Sequence, residues 1–189
     1  MKNTYTRIYG IDVSKDRLDI FLLDGAVSGH SHISNSSDAI LEWIEGFEKE
    51  GLLCVLEHTG SYSSRLLHLL CTHGIDVSAV NPHRSSHFAR ALGIINKNDR
   101  NAAEALALMG RALDLPSYTM EKATVQKRRQ VLRSLRALKK QRQVPQNQLH
   151  ALGHQAIVQP VVKQAFEQTL ETVNGQVGLL EGELDSLSD

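Results

Sequence analysis

Three acidic residues stand where chemistry could be built. Asp12 ends the alternating run TRIYGIDVS, Glu57 ends the apolar run LLCVLE, and Asp99 opens the helical stretch DRNAAEALALMG. If the two runs are neighbouring strands, both carboxylates emerge at one sheet edge, where the sites of α/β proteins commonly lie. A helix after the last strand would carry Asp99 over the same edge. Three carboxylates in one small volume repel one another, and a hard divalent cation held by oxygen ligands relieves that repulsion. Two such ions about 4 Å apart can activate a water and stabilise a leaving oxygen in phosphodiester cleavage. A single acid at a strand end is more often a cap or a solvated turn, so the order of all three carries the reading. The position three residues after Asp99, on the same helical face, carries no carboxylate: it is Ala102.

The elements that must position these residues are legible in the periodicity. Residues 6–14 and 17–23 alternate around a short Lys-Asp turn and predict a β-hairpin, with a weaker third strand over 27–33. The stretch SSDAILEWIEGFEKEG begins with a Ser/Asp cap, aligns Ile40, Ile44 and Phe47, and predicts a helix ending at Gly51. LLCVLE has the continuous apolar character of a central strand buried on both faces. A helix over about 62–73, a strand IDVSAV and a helix from Pro82 to about Leu92 follow. Three antiparallel strands followed by parallel crossovers predict an α/β fold, a mixed five-stranded sheet with helices on both faces.

Charge divides the 189 residues into blocks. Residues 1–120 carry 11 Lys and Arg against 14 Asp and Glu, residues 121–142 carry nine against one, and residues 143–189 carry one against six. A normal soluble block thus precedes a strongly basic helix and an acidic one, which suggests a polyanion partner, helix-to-helix pairing, or both. We expect a globular domain over 1–117 and a helical coiled-coil arm over 118–189. In the arm, Val162, Phe166, Leu170, Val173, Val177, Leu180, Leu184 and Leu187 follow a heptad-like spacing. It implies self-association as a homodimer or higher homo-oligomer, with parallel, antiparallel and intrachain pairings all open. Gly175, Gly178 and Gly182 mark either a close helix crossing or a weak helix end, and Pro145 and Pro160 should interrupt the stretch between the helices. No run is long and apolar enough for a membrane span and no signal peptide precedes the first strand, so a bacterial cytoplasmic location is expected. Cys54 and Cys71 lack metal or redox spacing and read as core thiols.

Four ordered motifs, GIDVSKDRLDI, LEHTG, VNPHRSSHFARALG and KNDRNAAEALAL, resemble the N-terminal domain of the DEDD transposases of the insertion-sequence-110 family, relatives of the Piv and MooV invertases. The resemblance covers about residues 6–115. It implies a RuvC-like, ribonuclease-H-type fold, four acids that bind Mg2+, and DNA strand cleavage and exchange on donor and target DNA guided by a structured bridge RNA. The family's first Asp falls on Asp12, its Glu on Glu57, its third acid on Asp99 and its fourth on Ala102. Asn101 and Glu104 are off the required helical face. The resemblance therefore implies a weakened Mg2+ site and blocked strand chemistry, through natural loss or deliberate substitution, the intact flanking motif favouring the second. The family's C-terminal transposase domain, with its serine nucleophile, is expected to be absent after Asp189. Whether this chain is itself an enzyme stays open, the alternative being a non-catalytic scaffold that binds bridge RNA and dimerises.

On the basic helix, Arg129, Arg133, Arg136 and Lys140 form one positive face that Lys127, Arg128, Lys139 and Arg142 widen. Such a stripe neutralises phosphates with salt-dependent, largely sequence-independent affinity. A face paired with the acidic helix is the bland alternative. With Tyr118 the single aromatic nearby, backbone contact is favoured over base stacking. Arg84, Lys97 and Arg100, with Arg90, suggest a second backbone-contact surface near the acids. His83 and His87 have metal-ligand spacing without a supporting motif and read as a surface face. An actin-like or sugar-kinase ATPase also begins with a GID strand and hairpin. It is disfavoured because Val13-Ser14-Lys15-Asp16 is not a Gly-rich phosphate turn.

Overall fold

The computed structural model describes residues 5–58, 60–94 and 99–187, the side chains of 99 and 100 excepted. The chain forms two compact units, Met1–Met120 and Glu121–Asp189. Tyr118, placed in the expected arm over 118–189, belongs to the first. Its N–H donates to the Val77 carbonyl at 2.6 Å and its ring packs on that unit's core.

The alternation at the N-terminus produces the expected hairpin of β1 (Arg7–Val13) and β2 (Arg17–Asp24). Ser14 closes its turn, donating from backbone N–H and hydroxyl to the Arg17 carbonyl. β3 (Val27–Ser34) pairs antiparallel with β2 and forms an exposed edge. β4 (Leu52–Glu57), buried along all but its last residue, lies parallel to β1, and β5 (Asp76–Val80) lies parallel to β4. The sheet is mixed and five-stranded in the order β3-β2-β1-β4-β5. Its helices are α1 (Ser37–Glu45), α2 (Ser64–Thr72), α3 (Pro82–Ala91) and α4 (Asp99–Ala112).

Two cores follow from the strand periodicity. On one face Ile11, Leu18, Ile20, Cys54, Leu56 and Val77 meet the apolar stripes of α1 and α2. On the other, Ile8, Phe21, Leu23, Leu53, Val55 and Val80 meet Ala103, Leu106, Ala107 and Met109 of α4. Side chains two residues apart on a strand share a face, so Gly10, Asp12, Asp19 and Glu57 belong to the α4 face.

Gly10 decides how close α4 lies. A Cβ there would sit 2.0 Å from the Ala103 carbonyl oxygen and 2.4 Å from the Ala107 nitrogen. Further along, a Cβ at Gly110 would meet the Val55 and Ile8 side chains at 2.8 and 3.1 Å. The helix therefore rests almost directly on the sheet backbone, and the small residues of NAAEALALMG are what permit it. The contacts also orient α4, since its chain runs from the Gly10 level toward the Ile8 level, opposite in sense to β1.

Three local expectations need correction. α1 stops at Gly46, whose N–H donates to the Ile44 carbonyl, rather than at Gly51. Continuing would bring Glu48 and Glu50 beside Glu45 at the negative end of the helix dipole. Phe47 instead leaves the helix and stacks on Tyr9 at 5.0 Å, with Trp43 edge-on to both. α2 begins at Ser64 rather than Tyr62, after Gly60 in the left-handed region (φ 58°).

In the second unit, Pro145 does not interrupt the basic helix: α5 (Ala123–Leu152) runs through it, and Pro160 occupies the first turn of α6 (Pro160–Ser186). A mid-helix proline costs about 3 kcal/mol, yet α5 continues through Pro145, whose ring is buried. The seam residues Val173 and Val177 are buried against Leu135, with Val131, Leu138, Leu180 and Leu184 around them. The pairing seen is thus intrachain, and at the start of α6 Val162 stays exposed. An added Cβ at Gly175, Gly178 or Gly182 would meet nothing within 4 Å, so these glycines mark no close crossing.

Candidate active site

Register places the acids. Asp12 on β1 lies directly opposite Asp19 on β2, and Asp19 opposite His32 on β3. Ile11 pairs with Leu56, so Asp12 and Glu57 occupy the next step of the parallel β1–β4 ladder. A row of side chains, His32-Asp19-Asp12-Glu57, thus crosses the sheet on the face that α4 covers. The backbone of α4 brings position 99 to the same row. Ala103 lies over Gly10, four residues of helix rise about 6 Å, and two residues of strand advance about 6.6 Å. Position 99 therefore sits at the level of Asp12. Ala102 is half-buried beside Ala103 in the first turn of that helix.

Among the described residues, no group of three or more His, Cys, Asp and Glu side chains is arranged to hold a metal ion. The described side chains supply two of the expected oxygen donors, Asp12 and Glu57, on adjacent strands. The side chains of Asp99 and Arg100, and all of Lys97, lie outside the described residues. Carboxylate donors of this kind suit a hard divalent cation.

Two residues beside these acids were not singled out from the sequence. Asp19 is only 6% exposed, and its Oδ2 accepts from Arg17 Nε at 2.8 Å. The signal was present in RLDIFLL, where Leu18, Ile20 and Leu22 make one face apolar. Asp19 interrupts the other face, continued by Phe21 and Leu23, just where α4 covers it. Ser85 on α3 is buried, and its hydroxyl lies 2.5 Å from Glu57 Oε1 and 3.0 Å from the Pro82 carbonyl.

Hydrogen bonds hold the loops after the acids. His58 N–H donates to the Val80 carbonyl, fixing the chain that follows Glu57 to the end of β5. Asn35 Nδ2 donates to the Ser14 and Tyr62 carbonyls, at 2.8 and 3.2 Å, tying the turn after Asp12 to the loop after Glu57. Arg65 donates to the Asn35 carbonyl in turn. Tyr9 points to the opposite core, and the His58 ring lies 6.2 Å from that of Tyr118.

The cationic candidates separate by exposure. On α3, His83, Arg84, His87 and Arg90 are exposed, opposite buried Ser85. On α5, Lys127, Arg128, Arg129, Arg133, Arg136, Lys139 and Lys140 are exposed and Arg142 is half-buried. Arg128, Arg129, Arg133 and Arg136, with Val125 and Leu132, line an open groove of about 390 Å³. Arg129 pairs with Glu121 at 2.5 Å and Lys139 with Glu181 of α6 at 2.8 Å, so part of the stripe is matched by acids. No described helix is long and apolar enough to cross a membrane.

Comparison with known proteins adds the lineage. Two structures of Thermus thermophilus RuvC, one of them in complex with a Holliday junction substrate, align at TM-scores of 0.42 and 0.41 with 14% and 16% identity, over 60% and 59% of this chain and 99% of each RuvC chain. The pilin gene-inverting proteins of Moraxella lacunata and Moraxella bovis are each 29% identical over 123 residues, 62% of this chain and 37% of their own length. The family model for insertion-sequence-110 DEDD transposases matches residues 9–156, a span that contains Asp12, Glu57, position 99, Ala102 and all of α5. With that match spanning most of the sequence, the chain belongs to the DEDD transposase family of insertion sequence 110.

Proposed function

We propose that this chain provides the metal-dependent catalytic domain of an RNA-guided DNA recombinase, in a form whose metal binding is weakened and whose strand chemistry is blocked at Ala102. The carrying observation is the adjacency of Asp12 and Glu57 on β1 and β4, with the first turn of α4 brought to their level by the Gly10 contact. In this reading Asp12, Glu57 and Asp99 hold Mg2+. The ion supplies Lewis-acid stabilisation of the phosphodiester's developing charge and an activated water or hydroxyl. The protein residues orient the carboxylates, exclude bulk water beneath α4 and hold the nucleic-acid backbone.

In this reading Arg84, Lys97 and Arg100 supply further contacts to the nucleic-acid backbone. Lys127, Arg128, Arg129, Arg133, Arg136, Lys139, Lys140 and Arg142 offer the larger phosphate-binding surface. The name of the Moraxella relatives, gene-inverting proteins, supports donor and target DNA as partners. The bridge RNA follows from the family resemblance, and a homo-oligomeric assembly from the heptad-like spacing of the arm. Because Ala102 removes one carboxylate, a second reading is also favoured, a bridge-RNA-binding scaffold that holds nucleic acid without cutting it.

The test is restoration. Ala102→Asp is expected to tighten Mn2+ binding by at least about tenfold, by the usual scale of ligand-sphere changes, and Asp12→Asn to abolish it. Calorimetric titration reads both. Equal, negligible binding by all three proteins would remove the metal site from this reading and leave the scaffold.

A further inference from the structure

We propose that Ser85 is a positioning residue for Glu57, a role that α3 is built to provide. Helices of this kind normally bury an apolar stripe. The one fully buried residue of α3 is instead a serine. A buried hydroxyl costs free energy unless it is hydrogen-bonded, and Ser85 has two acceptors for its single proton, Glu57 Oε1 at 2.5 Å and the Pro82 carbonyl at 3.0 Å. A carboxylate oxygen is the stronger acceptor of the two, its hydrogen bonds being about twice as strong as those to a neutral carbonyl. The carboxylate therefore takes the hydrogen bond.

The frame around this bond is rigid at both ends. Glu57 pairs in register with Val80, and His58 N–H donates to the Val80 carbonyl. One residue on, Asn81 starts α3: its side chain accepts from His83 N–H at 2.8 Å, and its carbonyl accepts from the N–H groups of Arg84 and Ser85. Pro82 fixes the first turn. Ser85 is thereby held at a set height above the end of β4, and its bond to Oε1 restrains how the Glu57 carboxylate turns. Carboxylates that ligate metals are commonly held in this way, and loss of such a partner costs about 10–100-fold in metal affinity.

The metal part of this inference rests on the proposed function; the positioning part does not. The full chain, Ser85→Ala and Ser85→Thr are compared, with melting temperature as a folding check and Ser85→Cys, a near-isostere with a weak donor, if the alanine variant fails to fold. NMR of the metal-free proteins reads the Glu57 side-chain rotamer. The parent and the threonine variant are expected to hold one rotamer, and the alanine or cysteine variant to average among several. Mn2+ titration should then show about 10–100-fold weaker binding for the averaging variant. A Glu57 rotamer that stays single without the hydroxyl overturns the proposal, as does unchanged Mn2+ affinity alongside a parent chain that binds. A parent that binds Mn2+ no better than Asp12→Asn defeats the metal reading, while the rotamer comparison still decides the role of Ser85.

Discussion

Position 10 has no room for a methyl group, because helix α4 occupies that space with its own backbone. Backbone cannot rotate aside as a side chain can, so Gly10→Ala must lift α4 from the sheet. Overpacking usually costs about 1–3 kcal/mol; here the expected loss is at least about 3 kcal/mol, a fall in melting temperature of roughly 10 °C or more. Circular dichroism melts would check it, and a normal melt would mean that α4 is not seated as described. Asp12 and Glu57 were legible because one ends an alternating run and the other an apolar run. Asp19 and Ser85 were harder to see, since their burial depends on what lies across the strand and on which helix covers them. Burial also pushes the Cys54 thiol far above its ordinary value and raises Cys71 as well, in keeping with core thiols.

Among the helices and strands, composition settled which ones exist and tertiary contact settled where they end. The Ser36 cap and the Ile40 and Ile44 stripe specify α1, but its stop at Gly46 follows from charge at the helix end and from the Tyr9, Trp43 and Phe47 cluster. For α5, periodicity revealed the cationic stripe, and only the packing of α6 showed that Lys139 is paired with Glu181. Arg133 and Arg136 are exposed and line the groove. Charge reversal there, Arg133→Glu with Arg136→Glu, is expected to weaken binding to structured RNA and to duplex DNA alike. The salt slope should fall by about one for each phosphate that the helix no longer neutralises. Filter binding across a salt series measures this; an unaltered slope would return the stripe to a solvated face.

The two units have unequal means of support. Residues 1–120 contain both sheet-facing cores, and this fragment is expected to melt cooperatively by itself, close to the transition of the full chain. Residues 121–189 bury only Leu135, Pro145, Val173 and Val177 among their described apolar side chains, too little to offset the ordering of two long helices. Their helicity, followed by circular dichroism in the isolated fragment, should rise with concentration as copies cover one another's apolar seams. Concentration-independent helicity would count against self-association. The element order, the mixed sheet, the acids at the ends of β1 and β4 and the blank at Ala102 could all be read from the chain unfolded, because periodicity, caps and spacing are local properties. That Asp19 joins the row of acids, that Ser85 reaches Glu57 and that Gly10 seats α4 over the site emerged only on folding. Each of those facts depends on a contact between residues remote in the chain or on burial by a distant element, and these are set by register and packing rather than by neighbouring sequence.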